Sequence, residues 1–283
     1  MPFRKSKPWG NTKPTVGYGI DFGDPINSQI DGCWLANENA GNKLTDISRG
    51  NNGTFTSGPT WGNGRFGKAI NLPASGSAYV NLAKTNYPVP VSAASIAAWV
   101  NVNAATSIYS PILTRTYAGT HTSPYHVFKL GANRFGSADK FNCEISTTSV
   151  NDQSTPAPST YAYGVWYFVV ATYDGANVRL YQNGVLVATQ ATTGNFIYGS
   201  GGFIRFGANA GGAENFYGLI DNVRFYSNRA LTASEVRRLY TEPFAGIITP
   251  RRRIISQAAA AGGVFTPYYW QQHIAGGMHG ESA

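Results

Sequence analysis

Charged side chains are scarce in this sequence: Asp, Glu, Lys and Arg make up 13% of its 283 residues, and the Ala/Glu/Lys/Leu blocks of helical proteins are missing. A helical bundle or coiled coil is excluded on that ground. Cysteine is nearly absent, with only Cys33 and Cys143. Two residues make no disulfide framework, and buried thiols in a chain made in a reducing cytoplasm are expected. No apolar run approaches the ~18–20 residues that span a bilayer, and the first six residues, Met1 to Ser6, form no apolar leader. Neither a membrane span nor export is therefore expected. The chain has no Gly-x-Ser-x-Gly turn for a nucleophilic serine and no glycine loop running into Lys-Ser or Lys-Thr to cradle phosphates. His273 and His279 lie in a Gly-rich end without metal-ligand spacing to a cysteine or an acid.

What is abundant is glycine and aromatic residues: 33 Gly, 17 Tyr and 15 Phe. Turn signals recur between short aromatic and β-branched runs, the pattern of an all-β sandwich or barrel, and the length suits one large domain with a well-filled core. Asn183-Gly184 separates Val178 to Tyr181 from Val185 to Val187. This predicts a tight hairpin, because a type I′ turn needs positive φ at both central residues. From Leu219 to Tyr226 the sequence alternates, with Leu219, Val223 and Phe225 on one side and Ile220, Asn222, Arg224 and Tyr226 on the other. A half-buried strand is predicted, with Asp221 the one acid on its apolar side. Thr232 and Glu235 then have the spacing of a capping box for a helix ending near Leu239 and Tyr240, with Leu231 and Val236 placed as its hydrophobic staple.

This order of strand, Arg229-Ala230-Leu231 turn and short helix resembles the C-terminal signature of laminin G-like, concanavalin A-like jelly-roll domains. Three further segments agree in order: the loop from Asp46 to Gly53 followed by Gly64 to Asn71; Ser95 to Val100 with Trp99; and Val165 to Gly175 followed by the Asn183-Gly184 hairpin. The resemblance implies an antiparallel jelly-roll sandwich over residues 16–243, one short C-terminal helix, a basic arm at 1–15 and a C-terminal arm at 244–283. Arg49 departs from it, standing where the family usually has glycine. The resemblance also implies a structural calcium, with no other cofactor. The ion would sit near the strand carrying the Ile220-Asp221 motif, which makes Asp221 and Asp46, with Asn51 and Asn52 nearby, its candidate ligands. Relatives that cleave glycans carry paired acids. The six glutamates here, Glu38, Glu144, Glu214, Glu235, Glu242 and Glu281, all lie more than three residues from any other acid, so no catalytic residue is expected.

The net charge of +8 is concentrated at the ends. Arg4, Lys5, Lys7 and Lys13 precede Thr15 with no acid among them, and Arg251, Arg252 and Arg253 follow the domain, so the body has little excess charge and nucleic-acid binding by it is not expected. Partner docking is expected through Arg4, Lys5, Lys7, Arg251, Arg252 and Arg253, and through the aromatics Phe265, Tyr268, Tyr269 and Trp270. The segment from Lys13 to Gly41 and the basic tail resemble phage and prophage jelly-roll proteins. That resemblance implies a non-enzymatic virion component, a capsid decoration or tail-associated module present in many copies and docked on other virion proteins. Weak binding to host surface glycans is expected at Tyr109, Tyr117, Tyr125 and Phe135, with His121 and Asn133 as polar partners. Trp99 and Trp166, on regular strands, are expected in the core. The competing class, a secreted or surface carbohydrate-binding or glycan-cleaving protein, predicts an export signal and, for an enzyme, a carboxylate pair.

Overall fold

The computed structural model describes residues 11–14, 18–74, 77–82, 90–103, 109–132, 139–211 and 214–248, and from Gly19 onward short β-branched and aromatic runs between Gly, Asn and Asp turns form its strands. The first half contains β1 (Gly19–Ile20), β2 (Ile30–Trp34), β3 (Lys43–Leu44), β4 (Gly53–Thr56), β5 (Thr60–Asn63), β6 (Lys68–Leu72), β7 (Tyr79–Leu82) and β8 (Ala94–Val102). Next come β9 (Ser110–Thr116), β10 (His126–Ala132), β11 (Phe141–Thr147), β12 (Val150–Pro156) and β13 (Trp166–Tyr173). The chain continues through β14 (Asn177–Gln182), β15 (Val185–Ala191), β16 (Ile204–Phe206), β17 (Gly218–Ser227), helix α1 (Ala233–Thr241) and β18 (Ile247–Ile248).

Two large sheets result, one ordered β12-β11-β10-β9-β16-β7-β4-β3 and the other β15-β14-β13-β8-β17-β6-β5, with β2 also paired to β17. The pairings are antiparallel, as in the expected jelly roll. Between the sheets lies one core, to which β8 contributes Ile96, Ala98, Val100 and Val102, β10 Phe128 and Leu130, and β11 Phe141, Cys143 and Ile145. A second core covers the other face of the β8–β17 sheet, where Ala97, Trp99, Phe168, Val170 and Tyr226 meet Leu231, Val236 and Leu239 around α1. Trp99 is therefore a core residue, as expected, whereas Trp166 is only partly buried and packs against this core from its edge. Cys33 and Cys143 are free and buried in different cores. Burial pushes the Cys33 thiol up to about 12.

The local signals hold. Asn183 and Gly184 both have positive φ, 51° and 80°, and join β14 to β15 in two residues. A Cβ at Gly184 would stand 3.1 Å from the Tyr240 ring, so the turn also makes room for the helix. Thr232 and Glu235 complete the capping box, and Leu231 and Val236 are buried beside it.

The alternation predicted for β17 does not hold. Asp221 faces Trp99 on β8 while Arg224 faces Ala97, so an extra residue is inserted between them, and Asn222 takes φ 45°. This bulge shifts the strand's phase: Ile220, Val223 and Phe225 enter the inter-sheet core, and Tyr226 enters the second core. The strand is not half-buried either; nearly all of it is covered on both faces.

The limits of the domain also differ from the expected 16–243. Lys13 is buried with Asp221 at 2.5 Å, and its ammonium also reaches the Lys68 carbonyl at 2.5 Å. At the other end Phe244, Ala245 and Ile247 join the second core, β18 pairs with β1, and the buried Arg224 guanidinium donates to the Pro243 and Ala245 carbonyls. The Arg4, Lys5 and Lys7 docking residues, and Arg251, Arg252, Arg253, Phe265, Tyr268, Tyr269 and Trp270, lie outside the described residues.

The Lys13–Asp221 pair makes the first prediction. Lys13→Met leaves a buried carboxylate without its counter-charge and is expected to cost about 3–5 kcal/mol in urea denaturation. The double variant Lys13→Met with Asp221→Leu should recover most of that loss.

Candidate functional site

On β10 and β11, Phe128, Leu130, Cys143 and Ile145 point into the inter-sheet core, so the residues between them, Lys129 and Glu144, point to the outer face of that sheet. Register places these two directly opposite each other, and their charges meet at 3.0 Å. The same register line continues across the strands as Ser154, Glu144, Lys129, Thr114, Arg205 and Asn81. The loop between β9 and β10 covers part of this polar row, as does the segment between β16 and β17. Lys129 and Thr114 in this row are fully buried.

Where the covering is incomplete a cleft of about 180 Å3 remains, lined by Tyr109, His121, Tyr125, His126, Glu144, Asp152 and Glu214. His121 and Tyr125 stand on the β9–β10 loop with ring centroids 4.6 Å apart, and Tyr125 is 39% exposed at the rim. Asp152 on β12 ties the loop down. One carboxylate oxygen accepts the Tyr125 N–H at 2.8 Å, and the other accepts the Ser123 hydroxyl at 2.8 Å. His126 lies deeper, with Nδ1 2.9 Å from the Thr114 hydroxyl and Nε2 3.9 Å from Glu144. Burial, aided by Lys129 and His121, holds the His126 imidazole well below its usual pKa, so it is neutral. Glu214, from the β16–β17 segment, lies 3.4 Å from His121 Nε2. Burial raises its carboxyl above the usual range, against the pull of His121 and Lys129. The Lys129 ammonium stands 5.9 Å from the Tyr109 ring centroid, which places a cation beneath one wall.

The structure therefore brings Tyr109, His121 and Tyr125 together, as the sugar-binding expectation requires. Tyr117 does not join them: it packs against the inter-sheet core and over Gly199. Asn133 and Phe135 lie outside the described residues. Sequence reasoning missed His126, Glu144, Asp152 and Glu214 as members of one site. A usable signal existed for Glu144, because a charge set in the middle of each of two apolar strands, Lys129 in one and Glu144 in the other, marks a shared outer face. Nothing local marks Glu214 or Asp152.

The calcium candidates do not fit an ion. One Asp46 oxygen accepts the Cys33 and Ser48 N–H groups and the Ser48 hydroxyl, and the other accepts the N–H groups of Arg49 and Asn51. The loop tolerates Arg49 because Gly50 takes the left-handed position, φ 79°. At Asp221 the Lys13 ammonium already stands where a cation would, and the Phe66 N–H points at the other oxygen. Calcium needs about six to eight oxygens facing it. Among the described residues no group of three His, Cys, Asp or Glu is arranged to hold a metal.

A model of the concanavalin A-like lectin/glucanases superfamily matches residues 74–237. The chain belongs to that superfamily. Superfamily membership agrees with the two-sheet sandwich, and solved structures agree at the level of fold. The binding domain of Paraclostridial Mosquitocidal Protein 1 is similar with a TM-score of 0.60 and 15% identity, over 78% of this chain and 53% of that one. The binding domain of Botulinum Neurotoxin DC, in complex with SialylT, gives 0.55 and 16% over 76% and 52%. Trypanosoma rangeli sialidase in complex with a difluoro-KDN gives 0.54 and 16% over 77% and 33%. The chain thus spans about half the length of each toxin domain and a third of the sialidase. No curated protein matches it. Among the described residues no helix is long and apolar enough to cross a membrane.

The neutral His126 makes the second prediction. Its folded pKa is depressed, so stability is complete above the unfolded value of about 6.5 and falls as pH drops below it, by about 1.4 kcal/mol per pH unit for one proton. In His126→Gln, denaturation measured between pH 7 and 5 should lose one proton's worth of that slope. An unchanged slope would show that His126 takes up its proton in the fold as it does in the unfolded chain.

Proposed function

We propose that this superfamily member is a non-enzymatic carbohydrate-binding module, with the cleft between the β9–β10 loop and the β16–β17 segment as its binding site. The observation that supports this is the pairing of ring faces at Tyr109 and Tyr125 with the polar groups of His121, Asp152 and Glu214 around one small opening. Flat rings stack on the apolar faces of a sugar while carboxylates accept its hydroxyls. At about 180 Å3 the cleft suits one ring or a chain end rather than an extended glycan. A site this small binds weakly, and a millimolar site, about −4 kcal/mol, becomes useful when many copies act together.

The multi-copy setting we propose is a virion, with the chain made in the host cytoplasm and its basic terminal segments docked on other virion proteins. The phage-like opening segment and the concentration of positive charge in the ends support this setting. Support for the non-catalytic reading comes from the duties of the acids: Glu144 meets Lys129, Glu214 meets His121, and Asp152 holds the loop. One observation favours a second reading, glycan cleavage. Glu144 and Glu214 share the cleft, and burial favours the protonated form of Glu214, as a general acid needs.

The multimerised chain on a glycan array is expected to bind, and Tyr125→Ala should weaken binding roughly tenfold, the worth of one ring contact. No reducing ends should appear on incubation with the bound glycan; their release, abolished by Glu214→Gln, would establish the second reading. Removing residues 251–283 should block incorporation into particles while leaving the thermal melt of the body unchanged. Normal incorporation of the truncated chain would refute docking through that segment.

A further inference from the structure

The charge lining the cleft carries the carbohydrate reading further. Among the described residues that line it, Glu144, Asp152 and Glu214 bring carboxylates, and none is a lysine or an arginine. Lys129, a cation among the described residues beside the cleft, is fully buried and lies 3.0 Å from Glu144, so its charge is answered within the wall. His126 is buried against the Thr114 hydroxyl, and His121, exposed at the rim, faces Glu214. Among the described residues Asp152 and Glu214 thus have no lysine or arginine partner at the opening, beside the rings of Tyr109 and Tyr125. Aromatic faces attract cations through their quadrupole, and a narrow opening with acidic walls focuses a negative potential on whatever enters.

From this we propose that the cleft takes a sugar ring bearing a cationic amine, the chemistry of an unacetylated amino sugar, and rejects rings bearing a carboxylate. A carboxylated sugar such as a sialic acid meets like charge from Asp152, and from Glu214 when ionised, with no lysine or arginine among the described lining residues to answer it. An amine meets the charge of Asp152, draws Glu214 toward its ionised form against the burial that raises its carboxyl, and finds the ring of Tyr125 beside it. N-acetylation keeps the sugar ring but removes the charge, which makes the acetylated sugar the control that separates charge from shape.

The inference rests on the carbohydrate-binding reading. The test is ligand-observed NMR titration of the intact chain at pH 7 with glucosamine, N-acetylglucosamine and N-acetylneuraminic acid. Glucosamine should bind at least about tenfold more tightly than N-acetylglucosamine, with no saturation by N-acetylneuraminic acid. The preference should shrink at about 0.5 M salt, where charges beyond a few ångströms are screened. Glu214→Gln should bring glucosamine close to N-acetylglucosamine with little effect on the latter, whereas Tyr125→Ala should weaken both alike. Equal binding of the two hexosamines, or binding of N-acetylneuraminic acid in competition with them, overturns the charge inference and leaves the carbohydrate reading standing. Failure of all three sugars to bind, together with a blank glycan array, overturns both.

Discussion

Strand β17 lies between two hydrophobic cores, and its bulge at Asp221 and Asn222 is the constraint on which the surrounding structure depends. A regular strand sends alternate side chains to opposite faces, and the extra residue resets that phase. Before the bulge the strand pairs with β6, and after it with β2. Because both faces of the sheet are covered, the acid at the bulge cannot stay in water. Burial pushes the Asp221 carboxyl up and the Lys13 ammonium down, and their mutual attraction opposes both effects. That pair fixes the segment at Lys13 and Pro14 to the body. Arg224, two residues past the bulge region, binds the carbonyls that follow α1 and fixes the other end.

The opposite sheet is organised differently. Its inner face is apolar, but its outer face carries a polar row at one register, and loops rather than a second apolar core cover that row. Buried charge on a sheet face is costly unless answered, and here Lys129 and Glu144 answer each other across adjacent strands. The loop above them stays in place through hydrogen bonds to Asp152 rather than through an apolar anchor, which leaves Tyr125 partly exposed. The cleft is a consequence: a polar floor, the aromatic rings of Tyr109 and Tyr125, and an acid from a distant segment, Glu214.

Much of the fold was legible in the sequence because its signals are local. A type I′ hairpin depends on two adjacent residues, Asn183 and Gly184, and a capping box on Thr232 and Glu235 within one turn of helix. The strand at Ser95 to Val100 and the order of the four family segments are likewise written along the chain. The ends were misplaced for the opposite reason. Lys13 reads as one more charge in a basic arm, and Phe244 to Ile248 as the start of a tail, until the body supplies Asp221, Arg224 and β1 as partners. The site divided in the same way. Tyr109, His121 and Tyr125 stood out as aromatic and polar residues in loop-like stretches, but Tyr117 had the same local character and turned inward.

The sequence by itself determined that this is an all-β sandwich with a capped helix against one sheet, because alternation, turns and caps act over a few residues at a time. Only the tertiary structure decided that the sheet under the helix is buried on both faces, and that Asp46 and Asp221 are occupied by N–H and ammonium groups rather than arranged for a metal. It alone decided that Glu144, Asp152 and Glu214 share one opening. Those outcomes depend on strand register and on loops folding back across a sheet face. Both bring together residues separated by tens of positions, and the energies involved, desolvation and charge pairing, exist only once the neighbours are in place.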